Sequence, residues 1–216
     1  MNSAIILAGG IGSRFGSDIP KQFIEINNKK IIDYSIQSFK KNKNIHEIIL
    51  VLHKSWLNKY KDEYQSYKLA EGGNSRSLSS LNGILSCSKK TQNVLIHDAA
   101  RPLLSQNIID TCIDNLSYHE ATTPFVNIPD SLIIKNEDKV EYLNRDLIKY
   151  IQTPQGFKID IIKDALENSK KFGSDDISTL LNYNPKVNVK FFKGNENNFK
   201  VTKNIDIQIL KSLLNE

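Results

Sequence analysis

Short apolar runs alternate with amphipathic stretches along this chain, and that alternation restricts the fold more than any other feature. Ser3–Leu7, His46–His53, Val94–Ile96, Ala121–Val126 and Val187–Phe192 read as buried strands. Between them, Lys30–Lys41 carries Ile32, Ile36 and Phe39 at helical spacing. Arg76–Ser88 carries Leu78, Leu81 and Leu85, the predicted buried face of a second helix. Gln106–Leu116, Ile159–Phe172, Asp176–Leu181 and Ile205–Leu214 are further predicted helices. Such an order predicts an α/β fold with a doubly wound, mostly parallel sheet. One segment breaks the rhythm. Leu132–Ile134 and Val140–Leu143 flank the turn-like Asn136-Glu137-Asp138, which predicts a β-hairpin. It is expected to form an arm, at about 129–150, on a single domain spanning residues 1–216.

Charge narrows the function classes. The net charge is +5, but lysines are scattered from Lys21 to Lys211 among acidic residues, without a basic tail. An RNA-binding module would want a clustered basic face with exposed aromatics, whereas Phe39, Phe125 and Phe191 fall in apolar patterns and are expected in the core. The basic residues divide unequally, with only Arg14, Arg76, Arg101 and Arg145 among the 29. A chain that uses lysine wherever a solvated charge suffices keeps arginine where a rigid fork matters. Cys87 and Cys112 are too few for a disulfide framework or a four-cysteine zinc site, and are expected to pack as small apolar residues in a cytoplasmic protein. No apolar run approaches the length of a membrane span, and the first residues lack the pattern of a signal peptide.

In doubly wound sheets, ligands sit where loops leave the C-terminal ends of the strands, and the unusual residues gather there. LAGGIGSRFGSDIPKQF (7–23) follows the first strand, with glycines at 9, 10, 12 and 16 and cations at Arg14 and Lys21. Glycines allow a tight turn that brings backbone N–H groups close to an anion. Phe15 stands where a dinucleotide fingerprint needs glycine, which argues against a nicotinamide-dependent oxidoreductase, and no GK[ST] follows to make a P-loop. HDAARP (97–102) ends the third strand: Asp98 can reach a metal ion bridging phosphates, and Arg101 can clamp a phosphate. His97 is assigned no chemistry. Lys200, in NNFKVT (197–202), follows the last strand.

Taken together, LAGGIGSRFG…PKQF, EGGNSR, HDAARP, TPQGF and NNFKVT resemble, in this order and over essentially the full chain, the cytidylyltransferases that make CDP-linked polyols. The resemblance implies a Rossmann-like nucleotidyltransferase that moves CMP from CTP to a polyol phosphate with magnesium, as a homodimer joined through the hairpin arm. It implies that Leu7, Ala8, Gly9, Gly10, Gly12, Arg14 and Lys21 surround the triphosphate, with Arg14, Lys21 and Lys200 as catalytic cations. Gly73, Asn74 and Ser79 match the cytosine segment, and Arg76 a basic position there of less clear role. Asp98 matches the magnesium ligand and lies with the CTP-binding group. Arg101, Ser131, Arg145 and Thr153 match positions that hold the acceptor's phosphate, some across the dimer interface. The mechanism so implied needs no general base, because the acceptor phosphate is already ionised.

Two acceptors remain open. Leu7 replaces the proline with which the 2-C-methyl-D-erythritol 4-phosphate enzymes usually open, Asn197 replaces an aspartate, and Asn204 a proline. These departures favour D-ribitol 5-phosphate, hence CDP-ribitol and a surface polysaccharide. HDAARP is at least as typical of the erythritol side, which would place the chain in isoprenoid biosynthesis.

Overall fold

A computed structural model describes residues 1–10, 19–137 and 139–214. Along the chain run β1 (Asn2–Ala8), β2 (Glu25–Ile26), β3 (Lys29–Lys30), α1 (Ile31–Lys41), β4 (Glu47–Leu52), α2 (Lys54–Tyr60), β5 (Lys68–Glu71) and α3 (Arg76–Leu85). There follow β6 (Asn93–Asp98), α4 (Gln106–Asn115), β7 (Ala121–Asn127), β8 (Leu132–Lys135), β9 (Val140–Leu143), β10 (Lys149–Ile151) and β11 (Gln155–Lys158). The chain closes with α5 (Ile159–Asn168), α6 (Asp176–Tyr183), β12 (Val189–Lys193) and α7 (Asn204–Leu214).

The main sheet has the order β10-β7-β11-β6-β1-β4-β5, with β12 also paired to β7. β6, β1, β4 and β5 are mutually parallel, as is the β12–β7 pair. The exceptions are β10 and β11, antiparallel to β7, with β11 also antiparallel to β6. The parallel part matches the expectation except for β5, which is not among the expected strands; β10 and β11 are not expected either. Their sequences, KYI and QGFK, are too short and too polar to signal strands alone.

Side-chain alternation divides the core into two layers. Ala4 and Ile6 of β1, with Leu50 and Leu95, pack against Ile32, Ile36 and Phe39 of α1 and Ile108 and Cys112 of α4. Ile5, Ile49, Val51, Val94 and Ile96 face the other way, against α3, α5 and α6. Each fully buried isoleucine or phenylalanine contributes roughly 1.5–3 kcal/mol.

The face of α3 departs from expectation. Leu78 and Leu85 are 41% and 57% exposed, and the buried residues are Ser77, Ser79, Ser80, Gly83 and Ile84. A Cβ at Gly83 would lie 2.5 Å from Ile5 Cγ2 and 3.0 Å from Val51 Cγ2. The helix thus presses its small residues against the sheet, where leucines would not fit. Phe191 also falls outside the core, at 44% exposed, because β12 is largely uncovered. The predicted helix 159–172 stops earlier, at Asn168, and leaves Phe172 exposed.

The hairpin forms as expected: β8 and β9 pair antiparallel in a two-stranded sheet of their own. Its side chains include the exposed Ile133, Ile134, Val140 and Tyr142. Cys112 is buried and Cys87 half-buried; both are free thiols, with burial pushing Cys87 up to about 12. Among the described residues no helix is long and apolar enough to cross a membrane.

Candidate active site

The C-terminal ends of β1, β5 and β6 open onto one cleft of about 700 Å³. Leu7, Ala8, Gly9 and Gly10 form one wall, and Gly73, Asn74, Arg76 and Ser79 another. Lys21, Asp98 and Lys200 complete it, although Lys21 and Lys200 stand 179 residues apart in the chain. A second pocket of about 360 Å³ adjoins this one and shares Arg76, Asp98 and Lys200 with it. Arg101, Thr153, Lys149, Tyr150, Gln155, Ser174 and Asp175 are among its lining. Ser131 and Arg145 line neither pocket; both are exposed, and Arg145 Nη1 donates to the Pro129 carbonyl at 2.6 Å. Gly12 and Arg14 lie outside the described residues.

Local chemistry explains these placements. The chain leaving β1 is held by Gln22, whose buried side-chain amide donates to the carbonyls of Ala8 and Gly10, at 2.8 Å each. Gln22 belongs to a 3-10 turn at Lys21–Phe23, and Lys21 Nζ donates to the Val201 carbonyl at 2.5 Å. At the start of α3, Ser75 caps the helix by accepting from the Leu78 N–H. Ser79 Oγ accepts from the Gly73 N–H at 3.1 Å and donates to the Ser75 carbonyl at 2.9 Å. At Gly73 a Cβ would run into the Leu78 side chain, so only glycine passes there.

Asp98 is the electrostatic centre. Its side chain is 12% exposed; Lys200 Nζ lies 2.6 Å from Oδ2, and Arg76 Nη2 lies 3.5 Å from Oδ1. Burial would raise the Asp98 pKa, but Arg76 and Lys200 outweigh it and hold the carboxyl well below the ordinary range. The other guanidinium nitrogen of Arg76 lies 2.6 Å from Oδ2 of Asp176, which is fully buried. Burial works against the Arg76 charge, yet Asp176 and Asp98 more than offset it and raise its pKa.

Sequence reasoning found the cations and missed the amides that position them. Gln152 is buried; its Nε2 donates to the carbonyls of Asn195 and Asn198, and its Oε1 accepts from the Asn195 N–H. Asn198, fully buried, donates through Nδ2 to the Thr153 carbonyl at 2.8 Å, while its own carbonyl accepts from Arg101 Nη1 at 2.8 Å. These bonds tie the loop before Lys200 to the segment around the cis Thr153–Pro154 bond and to Arg101. The signal was present but weak: polar residues flanking motif cations, in a chain rich in asparagine.

His97 has a structural task. The Asp98 N–H donates to Thr153 Oγ1 at 3.1 Å. Thr153 Oγ1 and His97 Nδ1 lie 3.0 Å apart, and His97 Nε2 is 3.1 Å from the Arg101 carbonyl. These partners assign the ring proton to Nε2, leaving Nδ1 to accept from the threonine. Burial lowers the His97 pKa to about 4, so the ring is neutral at pH 7.

With Lys21, Arg76, Arg101 and Lys200 in the linings, the site can gather negative charge from two sides. Among the described residues no group of three or more histidine, cysteine, aspartate or glutamate side chains could cage a metal ion. Asp98, the carboxylate common to both pockets, nevertheless suits magnesium, which is commonly bound by one or two carboxylates together with substrate phosphates.

Residues 2–216 match the family described as IspD, 2-C-methyl-D-erythritol 4-phosphate cytidylyltransferase. The chain belongs to that family. It is 36% identical over 227 residues to the 2-C-methyl-D-erythritol 4-phosphate cytidylyltransferase of Clostridium botulinum strain Langeland, covering 98% of each chain. It is equally identical to the protein of that name from Clostridioides difficile, with 100% of this chain and 94% of the other covered. Among solved structures it resembles the 4-diphosphocytidyl-2C-methyl-D-erythritol synthase of Anaerococcus prevotii, with a TM-score of 0.87, 28% identity and coverage of 100% and 96%. The cytidylyltransferase structure from Thermus thermophilus, at 20% identity and a TM-score of 0.82, supports the fold. The family member described here is therefore an enzyme of the nucleotidyltransferase class.

These likenesses correct one expectation. The preference for D-ribitol 5-phosphate is not supported, since the relatives carry the erythritol name. Of the three departures, Leu7 lines the larger cleft. Asn197 and Asn204 line neither pocket. None of the three lines the second pocket.

Proposed function

We propose that this enzyme transfers CMP from CTP to 2-C-methyl-D-erythritol 4-phosphate, releasing pyrophosphate, as a step of isoprenoid synthesis. Family membership across residues 2–216 is the observation that carries the acceptor. The larger cleft is the place for CTP, with the base at Gly73, Asn74 and Ser79 and the phosphates along Leu7–Gly10, Gly12, Arg14 and Lys21. The adjoining pocket takes the polyol phosphate, beside Arg101 and Thr153. Sharing of Asp98 and Lys200 by the two pockets supports this arrangement, because the reacting α-phosphate must lie where they meet.

The acceptor's phosphate oxygen attacks the α-phosphorus in line, a new P–O bond forms, and the bond to the β-phosphate oxygen breaks. Catalysis is then positioning plus neutralisation of charge by Arg14, Lys21 and Lys200. Asp98 would hold magnesium, which supplies further neutralisation when bound. An ammonium has three donors, so Lys200 can serve the α-phosphate from its place 2.6 Å from Asp98.

The second half of the proposal is the dimer. Ser131 and Arg145 sit outside their own chain's pockets, on or beside a hairpin with exposed apolar side chains. A second subunit packed on that hairpin would cover the apolar face and bring Ser131 and Arg145 to its own acceptor pocket. Supplying CTP labelled at the α-phosphate tests the chemistry. The label is expected in a CDP-linked polyol, and its appearance only in free CMP would mean hydrolysis.

A further inference from the structure

Arg76 is the arginine for which the motifs supply no task. It is the first residue of α3, immediately after the segment proposed to hold the base, and it lines both pockets. Its fork is divided between two carboxylates, with Nη1 at 2.6 Å from Asp176 and Nη2 at 3.5 Å from Asp98. Asp176 opens α6, which is anchored beyond it. Gln155 Oε1 accepts from the N–H groups of Asp176 and Ile177 at 3.1 Å each, and Gln155 Nε2 donates to Asp175 at 2.7 Å. Asp175 and Ser174 face the acceptor pocket. A continuous polar path thus runs from the start of α3, through Arg76, to the far wall of the second pocket.

We propose that Arg76 is a positioning residue for the transfer, setting Asp98 and the start of α6 at one fixed separation so that the nucleotide cleft and the acceptor pocket stay in register. This rests on the function proposed above. Charge arithmetic supports it: Asp98 and Asp176 are matched by Arg76 and Lys200, and of these two cations Arg76 is the one that touches both carboxylates. The task suits a fork, because a rigid planar guanidinium fixes the separation of the two carboxylates it touches, whereas an ammonium on a flexible stem does not.

A bland alternative exists, in which Arg76 merely neutralises the buried Asp176. Three variants separate the two: Arg76→Lys, Arg76→Gln and the double Arg76→Gln/Asp176→Asn. Arg76→Gln strands a buried carboxylate and is expected to lower the melting temperature, and the double variant removes that carboxylate and restores it. Despite restored stability, the double variant is expected to keep a kcat deficit on the order of 10–10²-fold and a raised acceptor KM. Wild-type turnover in the double variant overturns the proposal and leaves Arg76 a counterion. Arg76→Lys keeps the charge and decides the matter if the double variant does not fold: a similar kcat deficit supports the fork, and wild-type kcat overturns it. Wild-type protein assayed alongside separates the two levels of failure. If it makes no CDP-linked polyol, the functional reading itself fails, and the Arg76 proposal with it.

Discussion

Lys200 holds Asp98 at 2.6 Å while its own side chain is 39% exposed, and Arg76 stays beside Asp98 when the lysine is removed, so the carboxylate is not stranded. Replacing Lys200 or Lys21 with alanine is expected to cut kcat on the order of 10²–10³-fold, with a melting temperature near that of the wild type. Normal turnover in either well-folded variant would remove that lysine from the mechanism. His97 yields a pH prediction. Its pKa falls from about 6.5 unfolded to about 4 in the fold, so the unfolded chain binds the proton more tightly. The stability this neutral ring contributes is complete above 6.5 and is lost as pH falls toward 4, on the order of 3 kcal/mol in all. Asp98, held low, gives up its contribution only below the ordinary carboxylate range, outside that window. Urea midpoints of wild type and His97→Gln at pH 7 and pH 4.5 measure the effect: the wild type should lose more stability between them. The motif cations were legible residue by residue, since charge at a strand end has few other uses. Gln22, Gln152 and Asn198 were not, because an amide that bonds to backbone carbonyls looks in sequence like any surface amide.

At the scale of elements, α3 is where pattern and packing part company. Its leucines recur at helical spacing, yet Leu78 and Leu85 are exposed, and the helix buries Ser77, Ser80, Gly83 and Ile84, with only Leu81 of the three packing against the core. Close approach to β1 and β4 favours small side chains over apolar ones, and no single-helix pattern reports the distance to a neighbour. Gly83→Ala should therefore destabilise the fold by about 1–2 kcal/mol, although alanine gains about 1 kcal/mol in helix propensity. Leu85→Ala, at a 57% exposed position, should change stability by less than about 1 kcal/mol. Urea denaturation of both variants makes the comparison, and the reverse order would return the leucines to the core. The parallel strands β1, β4 and β6 were readable because burial on both faces makes them continuous apolar runs, whereas the edge strand β5, KLAE, with Ala70 alone buried, was not. β10 and β11 were not, since their short polar sequences are strands only by virtue of β7 and β6 beside them.

For the whole molecule, the sheet and the strand-end location of the site followed from the sequence, whereas the acceptor did not. Apart from Arg76, Asp98, Arg101 and Lys200, the residues that line the second pocket come from β10, β11, the link between them and the turn before α6, none of which carried the departures used to weigh the substrates. Assembly gives its own prediction. If the hairpin delivers Arg145 to a second subunit, Arg145→Ala should raise KM for the polyol phosphate far more than KM for CTP. Mixing that variant with Lys21→Ala should regain activity, because one site of the heterodimer has both residues intact. Mixed chains that exchange subunits and stay inactive would return Arg145 to its own chain. The central claim is the acceptor, and a competition tests it most directly. With CTP, magnesium and equal amounts of 2-C-methyl-D-erythritol 4-phosphate and D-ribitol 5-phosphate, the ratio of the two CDP-linked products gives the ratio of kcat/KM. The erythritol product is expected to dominate by on the order of 10²-fold or more; equal products, or an excess of CDP-ribitol, would contradict the account.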